Sequence, residues 1–301
     1  MPHRSITDEA WRPPVDVVLT IAGVVVIILG LRDMFHSLLH PEGHGSLSRL
    51  VLSGVWRISR MTGHRLGSAT GPGGMVAVIL MWVFLQSIGW ALVYLPHVAA
   101  GFSYSGVDPA RYPDFAEALY LSFTTLSTVG FGDVVAIDPW IRLAAPLQAL
   151  TGFALLTAAL TWFTQVYPPL SRRRALAMEL HHLGDAHYAD AVGELNPVVV
   201  AGLMDRVSER VEQAGIDLLQ HTESYFFVEK DPDLALPQQL PRALELRDAA
   251  RRSPAPELRT GAHRLSGALD RLGGILSGNF VSGEELEDIF AAYAADHRGS
   301  R

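Results

Sequence analysis

No cysteine occurs among the 301 residues, so disulfides and thiolate metal sites are excluded. Lysine is nearly absent as well: Lys230 is the only one, and the rest of the basic charge is arginine. Acidic residues outnumber basic ones by 31 to 24, and the net charge of −7 argues against a nucleic-acid partner. Neither a glycine-rich dinucleotide fingerprint nor a strand-like alternation stands in the C-terminal half, which leaves no basis for NAD or ATP sensing. No serine, histidine and carboxylate arrangement suggests catalysis, so the chain reads as a non-enzyme without an organic cofactor.

What is abundant is apolar length, concentrated before about residue 168. Val15 to Leu31, Met75 to Leu95 and Trp140 to Val166 are uninterrupted enough to span a hydrocarbon core of about 30 Å, which takes roughly 20 helical residues. The first segment lacks the basic start and small-residue cleavage site of a signal peptide and reads as an extra outer helix. Arg32, Arg49, Arg57, Arg60 and Arg65 lie between the first and second segments, and Arg172, Arg173 and Arg174 follow the third. The loop between the second and third holds only Arg111, with Arg142 at its flank. Because positive residues mark the cytoplasmic side, the amino terminus is expected outside and the carboxyl terminus in the cytoplasm of a plasma-membrane protein.

The outward loop carries Thr128-Val129-Gly130-Phe131-Gly132-Asp133 directly after a helix-like run. A potassium ion leaves water only when oxygens replace its hydration shell, and a ring of backbone carbonyls does this without formal charge. Aiming successive carbonyls at one axis requires left-handed backbone at alternate positions, which Gly130 and Gly132 adopt without steric cost. Thr128 adds a hydroxyl, Val129 and Phe131 point off the axis to brace the loop, and Asp133 is placed to tie the outer mouth. One such loop supplies a quarter of a ring, so a homotetramer holding K+ ions is expected. Asp114 to Ser127 is expected as the pore helix, with its negative end toward the central cavity.

The run Leu121-Ser122-Phe123-Thr124-Thr125-Leu126-Ser127-Thr128-Val129-Gly130-Phe131-Gly132-Asp133 resembles the pore signature of the potassium channel superfamily, particularly simple bacterial members with two helices around a pore loop. The resemblance covers Met75 to Pro168. It implies an all-α membrane protein with a tetrameric potassium-channel pore, to which this chain adds an N-terminal transmembrane helix and a helical cytoplasmic domain. The expected organisation is residues 1–32 for the extracellular terminus and extra helix and 33–74 for an amphipathic linker on the cytoplasmic side. Residues 75–170 form the pore domain and 171–301 the cytoplasmic domain. Within the pore domain, 75–95 is the outer helix, 114–127 the pore helix, 128–133 the filter and 140–166 the inner helix, ending at Pro168-Pro169. Phe131 replaces the commoner tyrosine of the family and loses a hydroxyl that could anchor the filter. Thr124 stands where some relatives carry a glutamate paired with the aspartate after the filter. A weakly selective cation pore, and a membrane-tethered signalling protein whose helical domain binds a partner, are the alternatives.

Gly152 lies where relatives often carry a gating hinge, with packing as its other explanation. Leu156, Ala159, Leu160 and Phe163 follow at helical spacing, where an apolar ring could close the path by dewetting. In the linker, Leu47, Leu50, Val51, Val55, Ile58 and Met61 form a stripe with Arg49, Arg57 and Arg60 off it, the pattern of a helix lying on anionic lipid over residues 47–65. His36, His40 and His44, spaced four apart near Asp33, are metal or proton-sensing candidates. A second candidate set is Glu179, His181, His182, Asp185, His187 and Asp190, although a solvated helix face would use the same residues. The C-terminal part reads as helical, with stripes at Leu203, Val207, Val211 and Leu218-Leu219 and at Leu258, Leu265, Leu269 and Leu272. Ser282-x-x-Glu285 has the capping-box pattern of a last helix.

Overall fold

The computed structural model describes residues 12–39, 45–65, 67–98, 100–106, 108 and 111–298. The protein is an all-α membrane protein, and among the described residues three helices are long and apolar enough to cross a bilayer, within Val15–Leu38, Gly67–His97 and Pro139–Asp185. The chain divides into two compact units, residues 1–49 with 77–162 and residues 50–76 with 163–301.

In the first unit α1 (Arg12–Leu39) runs past Leu31, where the apolar segment was expected to end. Its continuation carries Asp33, buried, into position to cap α2 (Ser46–Met61). The Asp33 carboxylate accepts from the backbone N–H of Leu47 at 2.9 Å and of Ser48 at 3.1 Å, from the Ser48 hydroxyl, and from Trp82 Nε1 at 2.9 Å. A carboxylate at a helix N-terminus meets free N–H groups and the positive end of the helix dipole, which is why a charge is tolerated there. Gly45 makes the approach possible, since a β-carbon on it would fall 2.2 Å from Asp33 Oδ1.

α1 packs on α3 (Thr70–Tyr94) through small residues, as helices in lipid do. A β-carbon on Gly23 would lie 2.5 Å from the Gly89 carbonyl oxygen, and one on Gly89 would lie 3.0 Å from that of Gly23. Gln86 Nε2 adds a hydrogen bond to the Ile27 carbonyl at 3.1 Å. The short helix α4 (Asp114–Leu126) is then fixed between α3 and α5 (Pro139–Asp185) by one buried polar network. Gln148 of α5 donates to the Ser122 carbonyl and hydroxyl oxygens, both at 2.9 Å, and accepts from Tyr94 at 2.6 Å, while the Ser122 hydroxyl donates to the Ser87 carbonyl at 2.8 Å. The side-chain groups of Tyr94, Ser122 and Gln148 all have partners, which offsets the desolvation cost of positioning α4 this way. The stretch between α3 and α4 contains a strand, β1 (Phe102–Tyr104), paired antiparallel with β2 (Val134–Ala136).

The second unit begins within α2 and takes in the start of α3. α3 opens at Thr70 rather than Met75: Pro72 occupies the first turn, where no N–H is needed, and Gly74 leaves room for Leu52. α5 does not end at Pro168-Pro169 but continues to Asp185. Both prolines hold helical φ, and the turns beyond them bury Leu170, Leu176, Ala177 and Leu180, so packing outweighs the lost backbone hydrogen bonds. After the short α6 (Tyr188–Ala191), the helices α7 (Pro197–Gln220), α8 (Leu236–Arg251), α9 (Pro256–Asn279) and α10 (Leu286–Asp296) close round one apolar core. The expected stripes of α7 and α9 are buried from Leu203 to Leu218 and from Leu258 to Leu272, with Leu219 outside the core. α10 starts at Leu286 with Glu285 as its N-cap and no side-chain cap bond, because Gly283 folds back against Ile289 and leaves Ser282 upstream of the helix.

α2 joins this unit's core through Trp56, on a face that adjoins its expected stripe and leaves Val51 and Val55 half-buried. Leu52, Trp56 and Ser59 are buried, whereas Leu50, Ile58 and Met61 are exposed. Trp56 stacks among His64, Tyr225, Phe226 and His297, at ring-centroid distances from 4.9 to 5.8 Å. Asp296 gathers the cluster, accepting from Trp56 Nε1 at 2.9 Å and the Tyr225 hydroxyl at 2.6 Å and pairing with Arg60 at 3.2 Å. Arg172 pairs with Asp217 at 2.7 Å and Arg174 with Glu229 at 2.8 Å, while buried Arg173 donates to the Ser224 and Phe227 carbonyls at 2.7 and 3.0 Å.

His297, buried beneath Tyr225 and Tyr293, is pushed down to about 4 chiefly by burial, with Arg173 lowering it further and Asp296 and the Tyr225 carbonyl pulling the other way. The native state therefore holds it neutral, whereas the unfolded chain protonates it near its ordinary value of 6.5. Its contribution is fully present above pH 6.5 and is lost as pH falls from 6.5 toward 4, a loss on the order of 2–3 kcal/mol. Melting of the full chain across that range is expected to show this slope in the wild type and a shallower one in His297→Gln. Identical slopes would remove His297 as its source.

Candidate functional site

α4 ends at Leu126, and the chain then turns through residues whose backbone is left-handed at alternate positions: φ is 58° at Thr128, 49° at Gly130 and 79° at Gly132. Alternation of this kind turns successive carbonyls toward one side, and glycine at two of the three positions makes it affordable. Thr128 is the third, which residue type alone does not reveal. The segment hangs from the C-terminal turn of α4: Val129 N–H and Gly130 N–H both donate to the Thr124 carbonyl, at 3.0 and 3.3 Å, and Thr128 N–H donates to Thr125 at 3.0 Å. Thr124 thus supports the segment by its backbone, while its hydroxyl stays within α4, bonded to the Tyr120 and Leu121 carbonyls.

Asp133 closes the far end. Its carboxylate accepts from the Tyr120 hydroxyl at 2.6 Å and from Val134 N–H at 3.0 Å, and its carbonyl accepts from Ser105 N–H at 2.7 Å. The aspartate therefore has a partner on α4, one turn before Thr124. Sequence reasoning missed Tyr120, and a phenol in the first half of the expected helix was the available signal. Buried Glu117, one carboxylate oxygen of which lacks a hydrogen-bond partner, lines the same cleft as Tyr112, Tyr120 and Asp133. Strand β2 begins right after Asp133, and its pairing with β1 anchors the far end of the segment.

Val129 and Phe131, expected to brace the loop, are 54 and 71% exposed in the single chain. On α5, Phe153, Leu156 and Leu160 form an uncovered apolar face, while Phe163 is half-buried. Gly152 meets α4 directly: a β-carbon there would lie 1.9 Å from the Leu126 carbonyl oxygen. α5 is continuous through it.

The metal candidates do not assemble. Asp33 is occupied in capping α2, His36 Nδ1 lies 2.8 Å from the Arg32 carbonyl, and His40 and His44 fall outside the described residues. His181 faces Asp185 and Asp233 at 3.2 and 3.5 Å, Glu179 pairs with Arg210 at 2.8 Å, and the His182 ring lies tilted beside that of His181. Among the described residues no three histidine, aspartate or glutamate side chains converge as a metal requires, because helical spacing along α5 turns them toward separate partners.

Residues 77–167, which include the whole of this arrangement, match the family described as Ion channel. The chain belongs to that ion channel family. Protein LctB of Geobacillus stearothermophilus is 30% identical over 111 residues, which cover 35% of this chain and 77% of the relative. Protein LctB of Bacillus caldotenax is 26% identical over a stretch of the same extent. No solved structure matches the chain. Family membership and the three long apolar helices among the described residues place the protein in a membrane.

Proposed function

We propose that the protein is a potassium-selective channel that conducts K+ passively through a homotetrameric pore. The observation that carries this reading is the alternation of left-handed backbone at Thr128, Gly130 and Gly132, held by the Thr124 carbonyl at one end and Asp133 at the other. Carbonyls presented this way by four chains would replace the hydration shell of K+ at the oxygens of residues 128–132. Four copies would also cover Val129, Phe131 and the bare face of α5, which a single chain leaves exposed.

The arginine distribution supports a plasma-membrane protein with its amino terminus outside and residues 171–301 in the cytoplasm. In that topology Leu156, Leu160 and Phe163 lie toward the inner end of the path as its constriction, and Gly152 sets the spacing between inner helix and pore helix. Gating passes through the helical domain, which holds α2 by Trp56 and Asp296, or through the filter itself. The exposed stripe of Leu50, Ile58 and Met61, flanked by Arg57, would rest on anionic lipid of the inner leaflet.

Flux through the purified protein in liposomes tests the reading. Gly130→Ala, which places a β-carbon on a left-handed residue, is expected to reduce potassium flux at least about 100-fold while leaving the oligomer intact. Unchanged flux in an oligomer of the same size would remove residues 128–132 from the conduction path.

A further inference from the structure

Beside the turn that joins α2 to α3, the second unit holds a cleft of about 930 Å³ whose wall carries three cations from three separate segments: Arg65 from the turn, Lys230 from the loop before α8, and Arg298 after α10. None of the three makes an ion pair among the described residues. The acid on the same wall, Glu229, is already neutralised by Arg174 at 2.8 Å and Arg173 at 3.9 Å, so it does not balance them. The cleft therefore faces its contents with three uncompensated positive charges.

The cations are held together by built contacts. His64 lies on the wall with both ring nitrogens engaged, Nδ1 with the Ser59 hydroxyl at 3.0 Å and Nε2 with the Asp296 carbonyl at 3.0 Å. This pins the turn that carries Arg65 to the end of α10, next to Arg298. Gly67, at φ 50°, lets the stem of Lys230 lie on the turn, since a β-carbon there would approach Lys230 Cε to 3.2 Å. Three unpaired cations on one cleft wall repel one another, and an anion bound in the cleft would offset that repulsion. Arginine forks with a lysine beside them match phosphate oxygens, and the volume exceeds what a single inorganic ion fills.

We propose that this cleft binds a phosphate-bearing anion through Arg65, Lys230 and Arg298. Gly67 also opens the second apolar span. Under the topology proposed above, on which only the choice of source rests, the mouth lies at the inner leaflet and the phosphate belongs to an anionic lipid headgroup. A soluble phosphorylated ligand presents the same chemistry.

The test is the melting temperature of the full chain in a neutral detergent, titrated with dioctanoyl phosphatidic acid, sodium pyrophosphate and, as zwitterionic control, dioctanoyl phosphatidylcholine. Saturable stabilisation by phosphatidic acid or pyrophosphate but not by phosphatidylcholine is expected, with the apparent Kd raised at least ~10-fold in Lys230→Gln/Arg298→Gln and little changed in Lys230→Arg. Response to both probes assigns recognition to the phosphate, to phosphatidic acid alone to the lipid, and to pyrophosphate alone to a soluble ligand. No saturable response to either, or a Kd unaltered by the double substitution, overturns the proposal. Arg65→Gln/Lys230→Gln decides the matter should the first pair melt abnormally without ligand. Because melting is read rather than flux, the outcome is independent of whether the pore selects potassium.

Discussion

Gly152→Ala is expected to abolish ion flux. The new β-carbon would sit 1.9 Å from the Leu126 carbonyl oxygen and 2.9 Å from its carbonyl carbon, and both neighbours are backbone that cannot rotate away. Relief requires α5 and the end of α4 to separate, yet Leu126 is the residue from which the segment 127–133 departs. Overpacking of this kind costs about 3 kcal/mol or more, and the displacement falls on the segment proposed to conduct rather than on a tolerant surface. A flux reduction of at least ~100-fold with a lower melting temperature is the predicted result. Gly202→Ala in α7 serves as the control: nothing lies within 4 Å of its β-carbon, and helix propensity predicts a gain of about 0.5–1 kcal/mol there with flux unchanged. Wild-type flux in Gly152→Ala would mean that the contact between α5 and α4 does not hold residues 127–133 in place for conduction.

Asp33→Ala carries the second large effect, on stability and on the placement of α2. Removing the carboxylate strands two backbone N–H groups, the Ser48 hydroxyl and Trp82 Nε1 in a buried site. Each unmet buried donor costs about 1–3 kcal/mol, so a combined loss of roughly 3–5 kcal/mol is expected after relaxation and water entry. Asp33→Asn keeps one acceptor oxygen and brings a new donor, so it is expected to recover about half of the loss. Melting in detergent measures the stability, and limited proteolysis between α1 and α2 reports the released helix. Equal melting temperatures for wild type and Asp33→Ala would show that the cap contributes nothing.

The left-handed backbone of residues 128–132 was legible because its requirement is local. Two glycines spaced by one residue dictate the backbone, and the expected pore helix over 114–127 differs from α4 by a single residue. The stripes of α7 and α9 were legible for the same reason, since helical periodicity reports burial directly. α2 was only half legible: of its apolar stripe Leu50, Ile58 and Met61 are exposed while Leu47, Val51 and Val55 are half-buried, and the buried face mixes Ser48, Leu52, Trp56 and Ser59, which no periodicity singles out. Tyr120 and Gln148 escaped notice because a lone polar residue in an apolar helix reveals its partner only in three dimensions. The prolines at 168–169 misled because a local rule for ending helices was outweighed by the packing of the turns beyond them. The two strands were too short for alternation to register, although Val134-Val135 carried the right residue type.

Ion flux through wild-type protein in liposomes, compared under equal and opposed gradients of potassium and sodium, tests the central claim most directly. Carbonyl coordination by residues 128–132 predicts potassium flux exceeding sodium flux by about 100-fold or more, carried by an oligomer of four chains. Equal fluxes of the two ions would contradict it.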